Sequence, residues 1–252
     1  METLRYVNRI GRSFIWGLLL GIATTIPTVA FATTWNLNCS SGCSGVDGAD
    51  GNQRTFTAAG GEILTVQGFS TANSDGSGNF VNAFLGWYSG GLGVTSPGST
   101  SSGGDGDGSG NRHTVDNSGK KDIVVFKLPT TGYIPLSVYL SAFGDTDIDA
   151  WVGGNGKTFN DFLSLSFSSF TVANGFTACT GDNSGSDSNR TANINCSLAG
   201  QYLIVAADKD ASNDNFKIKT LDANGGKIPE PSSLLLALVG MFGLRRYIGV
   251  RR

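Results

Sequence analysis

Histidine is nearly missing from this chain: among 252 residues there is one, His113. Any Ser/His/Asp or Cys/His catalytic arrangement would have to use it, and neither a G-x-S-x-G elbow nor a free-cysteine context accompanies it. The plainer reading makes His113 a loop or strand-edge residue hydrogen-bonded to Asp116 or Asn117. Glutamate is scarce as well. Between residues 33 and 228 the acids are 17 aspartates and Glu62. Basic charge is short: of 18 Lys+Arg and 20 Asp+Glu, the two ends hold seven basic and two acidic residues, leaving the stretch between them near minus seven. That argues against nucleic acid or an anionic lipid surface as a partner, since each demands a basic face. No interior stretch carries a convincing helical stripe, and 37 glycines with many aspartates favour turns.

What is present has a period of two. Leu136, Val138, Leu140 and Ala142 alternate with polar or half-polar neighbours, as do Ile148, Ala150 and Val152, and Phe216 and Ile218. Further strands are expected over 62–69, 80–88, 122–128, 162–172 and 201–207, although the aromatics of 162–170 fit either period. Eight or nine short strands separated by Gly, Asn, Asp and Ser predict an all-β chain: a single antiparallel β-sandwich, jelly-roll-like, over 33–227. Residues 96–112 carry almost no apolar side chain and read as a loop.

Four cysteines suggest disulfides, with Cys39–Cys43 and Cys179–Cys196 the easiest of three connectivities. Zinc on Cys39, Cys43 and His113 is the rival, without the tight paired spacing of such sites. The aspartates suggest a cation. Asp105, Asp107, Ser109 and Asp116 follow the ligand order of a calcium loop, with aspartate in place of the terminal glutamate and no flanking helices. Asp145, Asp147 and Asp149 would share one side of a strand, ~6–7 Å apart per pair, and Asp208, Asp210 and Asp214 form a third oxygen-rich stretch. Calcium is the ion these sets suit; solvated turn aspartates needing no cofactor are the alternative. Carboxylate pairs could also serve a glycan hydrolase. Trp87, Tyr88 and Trp151 could stack on sugar rings, or fill the core.

The two ends carry sharper patterns. Arg5, Arg9 and Arg12 precede an apolar stretch over 14–29, and Ala30-Phe31-Ala32 has the small-x-small form of a cleavage site, so residues 1–32 read as a secretory signal peptide. At the other end, Pro229, Glu230 and Pro231 precede the apolar run 234–244, followed by Arg245, Arg246, Arg251 and Arg252. At ~1.5 Å per residue this run covers about half of a ~30 Å hydrocarbon core, a short transmembrane helix and marginal stop. Arginines at both ends hold both termini in the cytoplasm and put the body across the membrane.

The order proline-glutamate-proline, short apolar helix and terminal arginines over 228–252 closely resembles the PEP-CTERM sorting signal of exosortase substrates in Gram-negative bacteria. That resemblance implies recognition of Pro229, Glu230 and Pro231 by a membrane-embedded exosortase; a plain C-terminal anchor is the alternative. The blocks Trp35-Asn36-Leu37, 90–94, His113-Thr114-Val115-Asp116-Asn117, 122–126, Asp145-Thr146-Asp147-Ile148-Asp149 and Asp214-Asn215-Phe216-Lys217 together resemble exosortase-dependent surface proteins with an HxxDN block, here His113, Asp116 and Asn117. The resemblance implies a shared domain and no reaction. The expected protein is exported through the inner membrane by the secretion machinery, held there transiently, and then sorted to the cell surface or extracellular matrix. Its expected role is structural or binding, associated with exopolysaccharide and open to calcium stabilisation; a secreted matrix-polysaccharide hydrolase is the alternative.

Overall fold

Short runs of β-branched and aromatic residues, broken by glycine and aspartate, form strands in residues 31–225 because, among the described residues, no run is long enough, or periodic enough, for an α-helix. The computed structural model describes residues 31–41, 49–98, 113–130, 132–179, 187–208 and 214–225. The predicted signal peptide up to residue 30, Cys43, Asp105, Asp107, Ser109, Asp210, and the C-terminal segment with Pro229, Glu230 and Pro231 lie outside them. In chain order the strands are β1 Phe31–Asn36, β2 Gln53–Thr57, β3 Ile63–Thr71, β4 Phe80–Asn82, β5 Phe84–Tyr88, β6 Gly91–Thr95 and β7 Val115–Asp116. They continue as β8 Asp122–Lys127, β9 Tyr133–Ala142, β10 Ile148–Gly153, β11 Phe176–Ala178, β12 Arg190–Asn193, β13 Tyr202–Ala207 and β14 Asn215–Gly225.

Two antiparallel sheets result. The first runs β12-β9-β14-β6-β5 and is built on β14. β9 follows one edge of β14, while three short strands tile the other: β1 from Gly225 to Thr220, β6 at Ile218, and β7 at Phe216 and Asn215. The second sheet runs β11-β10-β13-β8-β3-β2, with β4 on β3. Between the sheets lies the larger core, in which Trp35, Leu92, Leu140, Phe216 and Ile218 meet Leu64, Val66, Val124, Phe126, Leu203 and Val205. The fold is the expected β-sandwich.

Two local expectations are corrected. The stretch 162–172 is no strand: Phe159–Ser164, Phe167–Ser169 and Val172–Asn174 are 3-10 turns. Their rings cover the outer face of the second sheet, where Phe159, Phe162 and Phe170 pack with Phe69, Phe80, Ile123, Val125, Trp151, Tyr202 and Ile204. That cover buries β13 on both faces, so Tyr202–Ala207 is apolar without alternation. In β9, Leu136 faces outward although Val138 and Leu140 face the core. The register steps from Ser137–Asp222 to Pro135–Ala223 and skips Leu136, so a bulge reverses the expected alternation.

Both open sides of the sandwich are fastened. On one, Asn52 brackets Leu85 by accepting its N–H at 2.7 Å and donating to its carbonyl at 2.9 Å, and Arg54 Nε donates to the same carbonyl at 2.8 Å. On the other, the Cys179–Cys196 disulfide joins the residue after β11 to the segment after β12, the terminal strands of the two sheets. It confirms one predicted pairing. Cys39 is also disulfide-bonded, and Cys43 lies outside the described residues. Replacing Cys179 and Cys196 together by alanine is expected to remove about 3 kcal/mol, the loop-closure value for a separation of 17 residues. Urea denaturation of the double variant and wild type measures it; equal midpoints would show that the edges hold without the bond.

Candidate metal centre

Three of the scattered sequence blocks meet at one corner of the first sheet. β7 pairs antiparallel with the start of β14, placing Asp116 opposite Asn215 and Val115 opposite Phe216. The turn after β9 closes onto the same residue: Phe143 and Gly144 N–H donate to the Asn215 carbonyl at 2.9 and 3.0 Å, and Asn215 N–H donates to the Asp145 carbonyl at 2.8 Å. At the end of β13, Asp208 N–H donates to the Asp147 carbonyl at 3.2 Å.

This backbone arrangement gathers carboxylates. One oxygen each from Asp145, Asp147 and Asp214 lie within 4.8 Å of one another. Asp147 and Asp214 are buried, at 4% and 1% exposure, and Asp145 is half-buried. Asn117 holds Asp214 in place. Its side-chain amide donates to Asp214 Oδ2 at 2.7 Å and to the Asp208 carbonyl at 2.6 Å, and its Oδ1 accepts Asp214 N–H at 3.2 Å. Asp214 Oδ1 is buried and, among the described residues, has no hydrogen-bond partner. Burial first, and then the charges of Asp147, Asp145 and Asp208, push the Asp214 carboxyl up to about 7. Arg190 enters from β12, its guanidinium 3.5 Å from Asp147 Oδ1 and donating to Thr146 Oγ1 and carbonyl at 2.7 and 2.6 Å.

The expected oxygen sets are thus regrouped. Asp149 does not belong with Asp145 and Asp147: regular strand begins at Ile148, so the alternation does not reach back to them, and Asp149 lies opposite Ala206 in β10. Asp214 joins those two across the chain; Asp208 is near enough for its charge to raise the Asp214 pKa, and Asp210 lies outside the described residues. Asp116, the expected last ligand of the 105–116 loop, is buried in β7, where its Oδ1 accepts Ser118 N–H at 3.0 Å. Asn117 is the residue sequence reading undervalued. Its importance depends on a pairing 97 residues apart, which no local pattern signals.

His113 is bonded to neither Asp116 nor Asn117. Its Nδ1 shares a 2.7 Å hydrogen bond with Thr95 Oγ1, and its ring stacks on Tyr88 at 5.5 Å with 7° between planes. Burial and the charge of Lys217 lower its pKa. The aromatics considered for sugar stacking are also committed. Trp87 Nε1 donates to the Leu37 carbonyl at 2.9 Å and its ring meets Phe56 edge-on, while Trp151 packs between Phe167 and Phe170.

Beside His113, the Lys217 ammonium lies 4.1 Å from the Tyr88 ring centre and 4.8 Å from that of Phe143. The residue is 4% exposed, and burial lowers its pKa from 10.5 to about 8. The folded state therefore disfavours the charge, a penalty absent above pH 10.5, growing as pH falls toward 8, and constant below. Lys217→Met keeps the apolar stem without the charge. Its stability relative to wild type is expected to rise between pH 10.5 and 8 by at most about 3 kcal/mol, at ~1.4 kcal/mol per unit, less what the two ring faces return to the cation. Thermal melts across that range test this, and a constant difference would remove the burial argument.

The chain matches no protein-family model, no curated protein and no solved structure.

Proposed function

We propose that this chain is an exported, exosortase-sorted protein of the cell surface or extracellular matrix, with a structural or binding role alongside exopolysaccharide. Residues 1–32 act as its signal peptide, and 228–252 as a sorting signal with a short membrane helix that exosortase processes at Pro229, Glu230 and Pro231. The observation that carries the reading is the Cys179–Cys196 bond between the edges of the two sheets, because such bonds persist in oxidising compartments. The hydrolase alternative requires a carboxyl pair that a glycan can reach, and Asp147 and Asp214, at 4% and 1% exposure, are not that pair. His113 is committed to Tyr88 and Thr95.

The test is the intact mass of the protein recovered from its native cell surface or medium. A chain beginning near Thr33 and ending near Pro229 supports sorting. A mass retaining residues 234–252 makes the tail a plain anchor and sinks the exosortase reading.

A further inference from the structure

Two buried carboxylates and one half-buried one, brought within 4.8 Å of each other, repel unless positive charge joins them. Arg190 supplies one charge, and its contact is with Asp147. Among the described residues Asp214 Oδ1 has no hydrogen-bond partner although it is buried, and a buried acceptor ordinarily has one. We infer that Asp145, Asp147 and Asp214 form a binding site for one calcium ion, with Asn117 as a positioning residue that fixes Asp214 through its other oxygen. The inference is independent of where the protein is sorted.

Ligand chemistry favours calcium. It takes several oxygen ligands at ~2.3–2.6 Å in flexible geometry, and carboxylate oxygens within 4.8 Å of one another can be gathered on one such ion. Magnesium at ~2.1 Å demands near-octahedral order and gives up its own waters reluctantly, which a site built of protein carboxylates suits less well. The ligands come from the turn between β9 and β10 and from the residue before β14, so the ion ties segments about seventy residues apart. A proton on Asp214 is the competing way to satisfy Oδ1. The two differ in what asparagine does at this position: it mimics a protonated carboxyl but is a weaker calcium ligand.

The experiment uses the full chain stripped with chelator, then titrated with calcium chloride or magnesium chloride by calorimetry and thermal melting. Saturable calcium binding is expected, with the folding equilibrium shifted about a hundredfold when calcium stands a hundred times above Kd. Asp214→Asn should lose that calcium-dependent shift while melting near the stripped wild type. Asp145→Asn, at a half-buried position, should weaken affinity at least tenfold and carries the test if the first variant does not fold. Asp149→Asn should bind as wild type does. No saturable response in wild type at millimolar calcium, or a full response retained by Asp214→Asn or Asp145→Asn, would overturn the site. Magnesium binding as tightly as calcium would overturn the choice of ion.

Discussion

Gly93→Ala is expected to lower the melting temperature by about 10 °C or more. Gly93 lies in β6 opposite Gly86, and a Cβ there would stand 1.7 Å from the His113 carbonyl oxygen and 2.7 Å from its carbon. Those atoms are backbone, so relief requires moving β6 or the segment that enters β7. β6 is held by its partners on both edges, Ile218 of β14 and the whole of β5. The segment at 113–116 has the weaker hold, with Val94 N–H reaching the Thr114 carbonyl at 3.4 Å. His113 already has φ of +28°, an uncommon conformation for a residue with a Cβ, so it has little freedom to absorb the displacement. Overpacking at a site of this kind costs roughly 3 kcal/mol or more, and at ~2–4 °C per kcal/mol for a domain of this size the shift follows. Displacing β7 also carries Asn117 away from Asp214, so calcium affinity should fall with stability. Gly132→Ala is the control: a Cβ there meets only Thr130 Oγ1 at 3.7 Å, and its melt should match wild type within a few degrees. If the two variants melt together, the close approach of β6 and His113 has no energetic weight.

Some of these features are local properties of the chain and others arise only from pairing between distant strands. Strands such as β14 and β8 were legible because alternation or a continuous apolar run is a local property, and local propensity agreed with the fold there. The 3-10 cover over 159–176 was not, because five phenylalanines in eighteen residues satisfy either period and only the face they dock on decides between them. The bulge at Leu136 was hidden for a related reason: it is a property of the pairing with β14, invisible in β9 alone. For the carboxylates, the sequence singles out Asp145, Asp147 and Asp214 but groups them by proximity along the chain. Antiparallel pairing of β7 with β14 is what brings Asn117 to Asp214, and the backbone bonds between Asn215 and 143–145 bring Asp145 and Asp147 to the same place. Three blocks that looked scattered share a neighbourhood because one long strand threads past all of them.

The same strand makes the N-terminal boundary testable. β1 pairs with β14 from Phe31 opposite Gly225 to Asn36 opposite Thr220, so a cut after Ala32 removes two of its six residues. Pairing is unequal in value along β1. Trp35 is fully buried, its ring 5.7 Å from Tyr133 and its Nε1 donating to the Glu62 carbonyl at 3.0 Å, so it ties the first sheet to the loop before β3. Removing a side chain of this kind costs about 3–5 kcal/mol, and removing the whole strand also leaves the 220–225 edge of β14 open to other chains. A chain starting at Thr33 is therefore expected to melt within a few degrees of one starting at Phe31. A chain starting at Leu37 should lose about 5 kcal/mol or more and aggregate, as thermal melts and size-exclusion chromatography of the three would show. If the Thr33 chain instead behaves like the Leu37 chain, the strand needs Phe31 and Ala32, and cleavage after Ala32 would destroy the domain it releases; the signal-peptide boundary would then have to lie upstream of β1.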